Sequence, residues 1–261
     1  MEIQLAVYFT IVGFFIGSFL NVCIDRLPVN KSLISPPSHC DTCKHRLGII
    51  DLIPVLSYLI LRGRCRYCGA RIPFRILLVE TASGIVFLLA FWRYGLTAQF
   101  GVTAFWCGVF LVIIFIDWKH QLILDKITYP AAVIALIILA VHTYVPTASL
   151  LIPEATVLNG VISGAVLFII FLLIVLLRHN AMGMGDAKLV ALIGLVSGYP
   201  LVILSMLFGV VLGGVVAIIL LAMKKKRRKD VIAYGTFLGI GPIIALIFAP
   251  DILNWYMGFF K

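Results

Sequence analysis

"VLNGVISGAVLFIIFLLIVLL", residues 157–177, carries no charge from end to end. A helix rises about 1.5 Å per residue, so a stretch this long reaches roughly 30 Å, the thickness of a bilayer's hydrocarbon core. In lipid each backbone N–H and C=O must find its partner within the protein, which leaves helices and closed barrels. Barrel strands are shorter and alternate in polarity, so the stretch reads as a membrane helix. Comparable blocks occupy about 5–26, 76–93, 100–117, 127–145, 187–198, 200–223 and 235–257. The composition agrees: of 261 residues, 62% are hydrophobic and 12% charged, against about 25% charged in soluble domains. Mean hydropathy is +1.14. The expected fold class is an all-α polytopic membrane protein with about eight transmembrane helices.

The block 187–198 is short, and "SGYP" (197–200) separates it from the next. The two read either as a bent hairpin or as a re-entrant pair. The first block lacks a basic leader and a small-residue cleavage site, and it ends in "NVCIDRLP". It is expected to be a span rather than a signal peptide.

Lys and Arg orient the chain. With the N-terminus outside and eight alternating spans, inner segments hold all the basic residues except Arg93 and Lys261. The positive-inside rule therefore places both termini outside. The net charge of +10 follows from topology, and its partner is the anionic lipid bilayer rather than nucleic acid. The run "KKKRRK" (224–229) reads as a solvated cytoplasmic anchor.

Residues 28–75 interrupt the hydrophobic pattern. They hold Pro28, Pro36, Pro37, Pro54 and Pro73 and four of the six cysteines. The layout expected is a first span (1–27), a small cytoplasmic zinc-binding domain (28–75) and a membrane core (76–261). Within the insert, "DLIPVLSYLILRG" (51–63) is too short to cross and suits a hairpin or an interfacial helix. Cys40-x2-Cys43 and Cys65-x2-Cys68 form two knuckles, each aiming two thiolates at one point, as tetrahedral Zn²⁺ requires. Two disulfides are the rival reading, which a reducing cytoplasm disfavours. A domain this small gains from a metal what its core cannot supply. Four thiolates leave no open position, so the zinc is expected to be structural. His39 and His45 read as neighbours of the site rather than ligands, and Cys23 and Cys107 as apolar packing within spans.

"VIIFIDWKHQLILDKITYP" places Asp117 directly after five apolar residues, at the inner boundary of the third span. Asp125 follows eight residues on, about two turns if the segment stays helical. "RHNAMGMGDAKLV" (178–190) puts Asp186 at the cytoplasmic mouth of the next spans, after Gly183 and Gly185 and before Lys188. The glycines permit unusual dihedrals and close approach. An ionisable group in a span is a functional candidate. Two facing carboxyls can share one proton, the ionised one activating water and the protonated one polarising a peptide carbonyl. That is aspartyl-protease chemistry. A transporter using Asp117, Asp125 and Asp186 as a proton or cation path is the alternative. Such sites favour the midplane, whereas these acids cluster at one face and only Glu2, Glu154 and Asp251, in or near loops, lie on the far side. A zinc protease lacks His-Glu-x-x-His.

"GSFLNVCIDRLP" (17–28), the knuckles around "DLIPVLSYLILRGRCRYCGARI", "IDWKHQLILD" and "GMGDAKL" (183–189) together resemble the type IV prepilin leader peptidases, in the right order over nearly the whole chain. The resemblance implies a bifunctional bacterial inner-membrane enzyme. It cleaves leaders from prepilins or pseudopilins on the cytoplasmic side, then N-methylates the new terminus with S-adenosylmethionine. By motif, Asp117 and Asp186 are the catalytic pair. Asp125, with Gly183, Gly185 and Lys188, is supporting, and Leu124 stands where the family commonly has proline. The insert is implied in methyl transfer, with Gly63 and Arg64 as cofactor candidates. No Gly-rich dinucleotide fingerprint is present. Glu80, Asp51, Asp25 and Asp41 are candidate counter-charges for a basic leader.

Overall fold

The structure, a computed structural model, describes residues 2–145, 156–177, 183–223 and 233–258. The basic run 224–229 and residues 178–182 of the glycine-rich segment lie outside the described residues. Among the described residues every regular element is helical: α1 (Glu2–Arg26), α2 (Leu56–Ile60), α3 (Phe74–Tyr94), α4 (Ala98–His120), α5 (Asp125–Tyr144), α6 (Val157–Leu177), α7 (Met184–Ser197), α8 (Leu201–Ala222) and α9 (Tyr234–Gly258). The fold is that of a multi-pass helical membrane protein. Helices α1, α3, α4, α5, α6 and α8 are long and apolar enough to cross a bilayer. α7, at 14 residues, rises only about 21 Å and falls short of the roughly 30 Å core. The two apolar blocks at "SGYP" are thus separate helices of unequal length. Asn159 of α6 pins their junction, accepting from the Tyr199 N–H at 2.7 Å and donating to its carbonyl at 2.8 Å.

The chain forms two compact units, Met1–Gly95 and Leu96–Lys261. In the first, α1 and α3 pack antiparallel. Gly13 and Gly17 are one turn apart on one face of α1. A Cβ on Gly13 would lie 2.9 Å from the Gly84 Cα, and one on Gly17 would lie 2.7 Å from the Glu80 Cα. Small residues at this spacing let two backbones approach where lipid gives no hydrophobic drive for association. Polar groups close the end of the pair: Arg75 donates to both Asp25 oxygens at 2.7 and 2.8 Å and to Asn21 at 3.1 Å. Between α1 and α3, residues 51–63 form a single tight turn (Ile50–Leu52) and the short α2, with Leu56, Leu59 and Ile60 exposed.

In the second unit, α9 packs on α4, α7 and α8, and α7 also contacts α5 and α6. Glycines again set the closest approaches. A Cβ on Gly194 of α7 would lie 2.7 Å from the Gly164 Cα of α6. One on Gly239 of α9 would lie 2.7 Å from Ile114 of α4. Cys23 and Cys107 are buried in their helices, as expected.

Candidate active site

Asp117 sits in the last turn of α4. The helix ends because Gln121 turns left-handed, at φ 53°, and its N–H closes on the Asp117 carbonyl at 2.8 Å. The chain then reverses, so Asp125 is the first residue of α5 rather than a residue two turns further along α4. The Asp117 residue is 4% exposed. Its Oδ2 accepts the Thr236 backbone N–H at 2.6 Å and the Thr236 hydroxyl at 3.0 Å. Thr236 lies in the first turn of α9, where backbone N–H groups have no partner within the helix. Asp117 thus satisfies a helix terminus and gains its partial positive charge.

Asp186 occupies the first turn of α7. It is half-buried, and its Oδ2 accepts the Gly183 N–H at 3.3 Å. Gly183 has ordinary extended backbone, φ −79°, so the unusual dihedral expected there is not used. Gly185 earns its place by proximity: a Cβ there would lie 3.1 Å from the Ile123 Cβ. Ile123, in the turn between α4 and α5, also stands against Gly235 at the head of α9, whose added Cβ would be 3.0 Å from both Ile123 and the Asp117 Oδ2. The ends of α4, α7 and α9 therefore meet around one isoleucine. Asp117 and Asp186 come within electrostatic reach of each other there, and Asp186 within reach of Tyr234. Among the described hydrogen bonds Asp117 is held by the start of α9 and Asp186 by the cap of its own helix α7, neither by the other carboxylate.

Lys188, one half-turn beyond Asp186, donates to both Asp125 oxygens at 2.7 and 2.9 Å. Its ammonium also stands 5.2 Å from the Tyr129 ring centre. Of the supporting residues named from sequence, Lys188 and Asp125 thus clamp α7 to α5. Sequence reading missed Thr236, Tyr234, Gly235 and Ile123. The available signal was "YGTF" (234–237), a glycine and a hydroxyl at the mouth of the last apolar block.

The knuckles lie in the other unit. The sulfurs of Cys40, Cys43, Cys65 and Cys68 all fall within 4.8 Å of one another, and those of Cys40 and Cys68 are 3.7 Å apart. That is too far for a disulfide at about 2.05 Å, and the thiols are free. It matches the edge of a tetrahedron with Zn–S near 2.3 Å, about 3.8 Å. The two halves repeat each other. Cys40 N–H donates to the His45 carbonyl and Cys65 N–H to the Ala70 carbonyl, while His39 pairs with Arg46 and Arg64 with Arg71. The thiols are electrostatically divided. The Cys43 and Thr42 N–H groups bring Cys40 down to about 6. The Ala70 N–H pulls on Cys68, yet burial and the neighbouring sulfurs push it up to about 12. Four sulfurs this close ionise together only around a cation, so the donor set fits zinc. His39 and His45 stay outside the sulfur cluster: His39 meets the Pro37 carbonyl at 3.0 Å and His45 lies on Tyr67.

Gly63 and Arg64 line a cavity of about 600 Å³ with Tyr58, Arg62, Arg71 and Phe74. Of the candidate counter-charges, Asp25 pairs with Arg75 and Asp51 with Arg66 at 2.7 Å. Glu80 is buried and accepts the Val55 N–H at 2.7 Å. Asp41 is exposed.

A family model described as "Bacterial Peptidase A24 N-terminal domain" matches residues 11–94, and one described as "Type IV leader peptidase family" matches residues 103–218. Proteins named prepilin leader peptidase/N-methyltransferase are similar over nearly the full length. That of Pseudomonas putida is 32% identical, covering 93% of this chain and 90% of its own. That of Legionella pneumophila is 30% identical, covering 96% and 95%. That of Bacillus subtilis is 25% identical, covering 95% and 96%. No solved structure matches the chain.

Proposed function

Since the chain belongs to the type IV leader peptidase family and is an enzyme of it, we propose that Asp117 and Asp186 form an aspartyl endopeptidase centre that removes prepilin or pseudopilin leaders at the cytoplasmic face. One observation carries the reading. Two carboxylates from distant parts of the chain stand where the ends of α4, α7 and α9 meet around Ile123, each braced by helix-terminal donors. One ionised carboxylate takes a proton from water as the oxygen attacks the peptide carbonyl. The other, protonated, donates to the carbonyl oxygen. The proton belongs to the pair rather than to either residue. Lys188 and Asp125 hold the α7 end in register, and Gly185 lets that end close on Ile123. The clustering of Lys and Arg on one side sets this face inward and both termini outward, in a bacterial inner membrane.

A prepilin fits the site by geometry. Its apolar helix, placed after the cleavage point, can lie beside these spans and hold the leader at the interface. There the substrate helix must open locally, because a helical peptide keeps its carbonyls in i→i−4 bonds. With Asp25, Asp51 and Glu80 engaged within their own unit, Asp41 is the candidate counter-charge left for a basic leader.

Cys40, Cys43, Cys65 and Cys68 would hold one Zn²⁺ as a closed structural site, outside the cleavage chemistry. The relatives' name also carries methyl transfer, for which S-adenosylmethionine supplies the methyl group. The cavity at Gly63 and Arg64 presents arginines and no described carboxylate. That suits an anion, not a sulfonium with an ammonium beside it.

The test uses purified full-length enzyme in detergent with a prepilin substrate. Asp117→Asn and Asp186→Asn each abolish cleavage while zinc content and melting stay at wild-type values, and EDTA leaves wild-type cleavage intact. Full activity in either variant would remove that residue from the mechanism.

A further inference from the structure

The cavity of about 600 Å³ in the first unit is walled by Arg62, Arg64 and Arg71 together with Tyr58, Ile72 and Phe74. Its volume falls in the range of small-molecule sites, about 300–1,000 Å³. The three arginines are exposed, and among the described residues none has a carboxylate or hydrogen-bonding partner for its side chain. Arg64 and Arg71 face each other as a cross-strand pair, an arrangement that like charges oppose unless an anion lies between them. The nearby acids are committed elsewhere: Asp51 to Arg66, Asp25 to Arg75 and Glu80 to the Val55 N–H. The fold thus gathers three cations around one hollow and supplies no counter-charge.

The surroundings say what brings it. Phe74, on the cavity wall, is the first residue of the membrane-spanning helix α3, so the hollow opens where that span begins. Beside it, α2 turns apolar side chains outward. Leu56, Leu59 and Ile60 are 57, 56 and 75% exposed, and Phe74 is 59% exposed. Basic side chains over an apolar fringe, next to the start of a span, make the composition of an interfacial element. Such elements gain about 1 kcal/mol per Lys or Arg from an anionic membrane surface. Guanidinium also matches phosphate in planar, bidentate geometry.

We propose that this cavity seats the phosphate of one anionic phospholipid headgroup. The glycerol and upper acyl carbons then lie along Phe74, Ile72 and the outward face of α2. The bound lipid docks the cysteine-knuckle region against the bilayer. None of its residues belongs to the carboxylate pair, and it does not depend on how that pair works.

The experiment reconstitutes full-length protein into phosphatidylcholine nanodiscs containing a minor fraction of phosphatidylglycerol. Protein extracted into mild detergent is then examined by native mass spectrometry for retained lipid. Wild type retains one phosphatidylglycerol in preference to phosphatidylcholine. R62Q/R64Q/R71Q loses that preference, with apparent affinity down on the order of a hundredfold. K31Q/K44Q/R46Q, which removes the same charge elsewhere in the unit, keeps it. Zinc content by elemental analysis reports whether the variant is folded, and the single substitutions R62Q, R64Q and R71Q, each weakening retention several-fold, serve if the triple is not. Equal retention by the triple variant and wild type overturns the proposal. So does displacement of the lipid by inorganic phosphate or by S-adenosylmethionine at low concentration, since either would make the cavity a soluble-ligand site.

Discussion

Removing the Thr236 hydroxyl tests the active-site geometry at its least expected point. Thr236→Val keeps the shape and the backbone N–H at 2.6 Å from Asp117, but deletes the hydroxyl donor at 3.0 Å. A hydrogen bond to a charged group contributes about 1.5–3 kcal/mol. Each ~1.4 kcal/mol on the barrier is tenfold in rate, so complete loss corresponds to about ten- to hundredfold. The retained N–H keeps Asp117 near its place, which sets the expectation at the lower end, about tenfold in kcat for leader cleavage. On the proposed mechanism the threonine positions a reacting group and does not touch substrate, so KM stays within about twofold. Thr236→Ser restores the donor and recovers most of the rate. Single-turnover cleavage in detergent, with melting temperature and zinc content as folding controls, reads all of this. A Thr236→Val enzyme as fast as wild type would refute the arrangement. Equal losses in the Val and Ser variants would show that shape, not the hydroxyl, matters.

Three further outcomes follow from the same contacts. The Lys188–Asp125 pair is 27 and 53% exposed at its side chains and contributes at most about 1 kcal/mol to stability. Asp125→Asn should therefore leave melting almost unchanged yet slow cleavage a few-fold, and the exchange D125K/K188D should recover part of the loss in the same assay. Lys44 adopts φ +57°, where its counterpart in the second knuckle is Gly69 at φ +70°. Lys44→Gly should relieve up to about 1 kcal/mol of left-handed strain and slow zinc loss to a competing chelator; faster loss would count against the equivalence of the two knuckles. Elemental analysis should find one zinc per chain, lost in Cys65→Ser and kept in Cys23→Ala.

The apolar blocks and the helices agree within three residues at every end, because membrane helices are specified by length and uniform hydrophobicity, both of which survive without knowing the neighbours. The knuckles were legible for a similar reason: four like ligands at fixed spacing admit few geometries. Asp125 was not, since nothing in "KHQLILD" announces that Gln121 will turn left-handed and send the next helix back. Thr236 was further out of reach. It is 119 residues from Asp117, and the order in which helices pack is written in small residues such as Gly164, Gly194 and Gly239, not in the hydropathy that locates them.

Those same packing contacts explain why the two acids are where they are. A carboxylate at the edge of a low-dielectric bundle is costly to ionise unless donors are already aimed at it. The cheapest fixed donors in a helical protein are the unpaired N–H groups of the first turn. Asp117 draws on the start of α9, and Asp186 on the glycine that opens α7. Since α9 packs on both α4 and α7, fixing its register fixes the separation of the acids. Gly235 is the point of that register nearest the acids, since a Cβ there would lie 3.0 Å from both the Asp117 Oδ2 and Ile123. A Gly235→Ala substitution shifts α9 or the Asp117 side chain by a few tenths of an ångström, which strains both Thr236 bonds without removing either donor. It should therefore slow cleavage, although it deletes no polar atom, and by less than Thr236→Val, which removes a donor outright. If Gly235→Ala cleaves normally, the spacing of the acids is set by something other than α9.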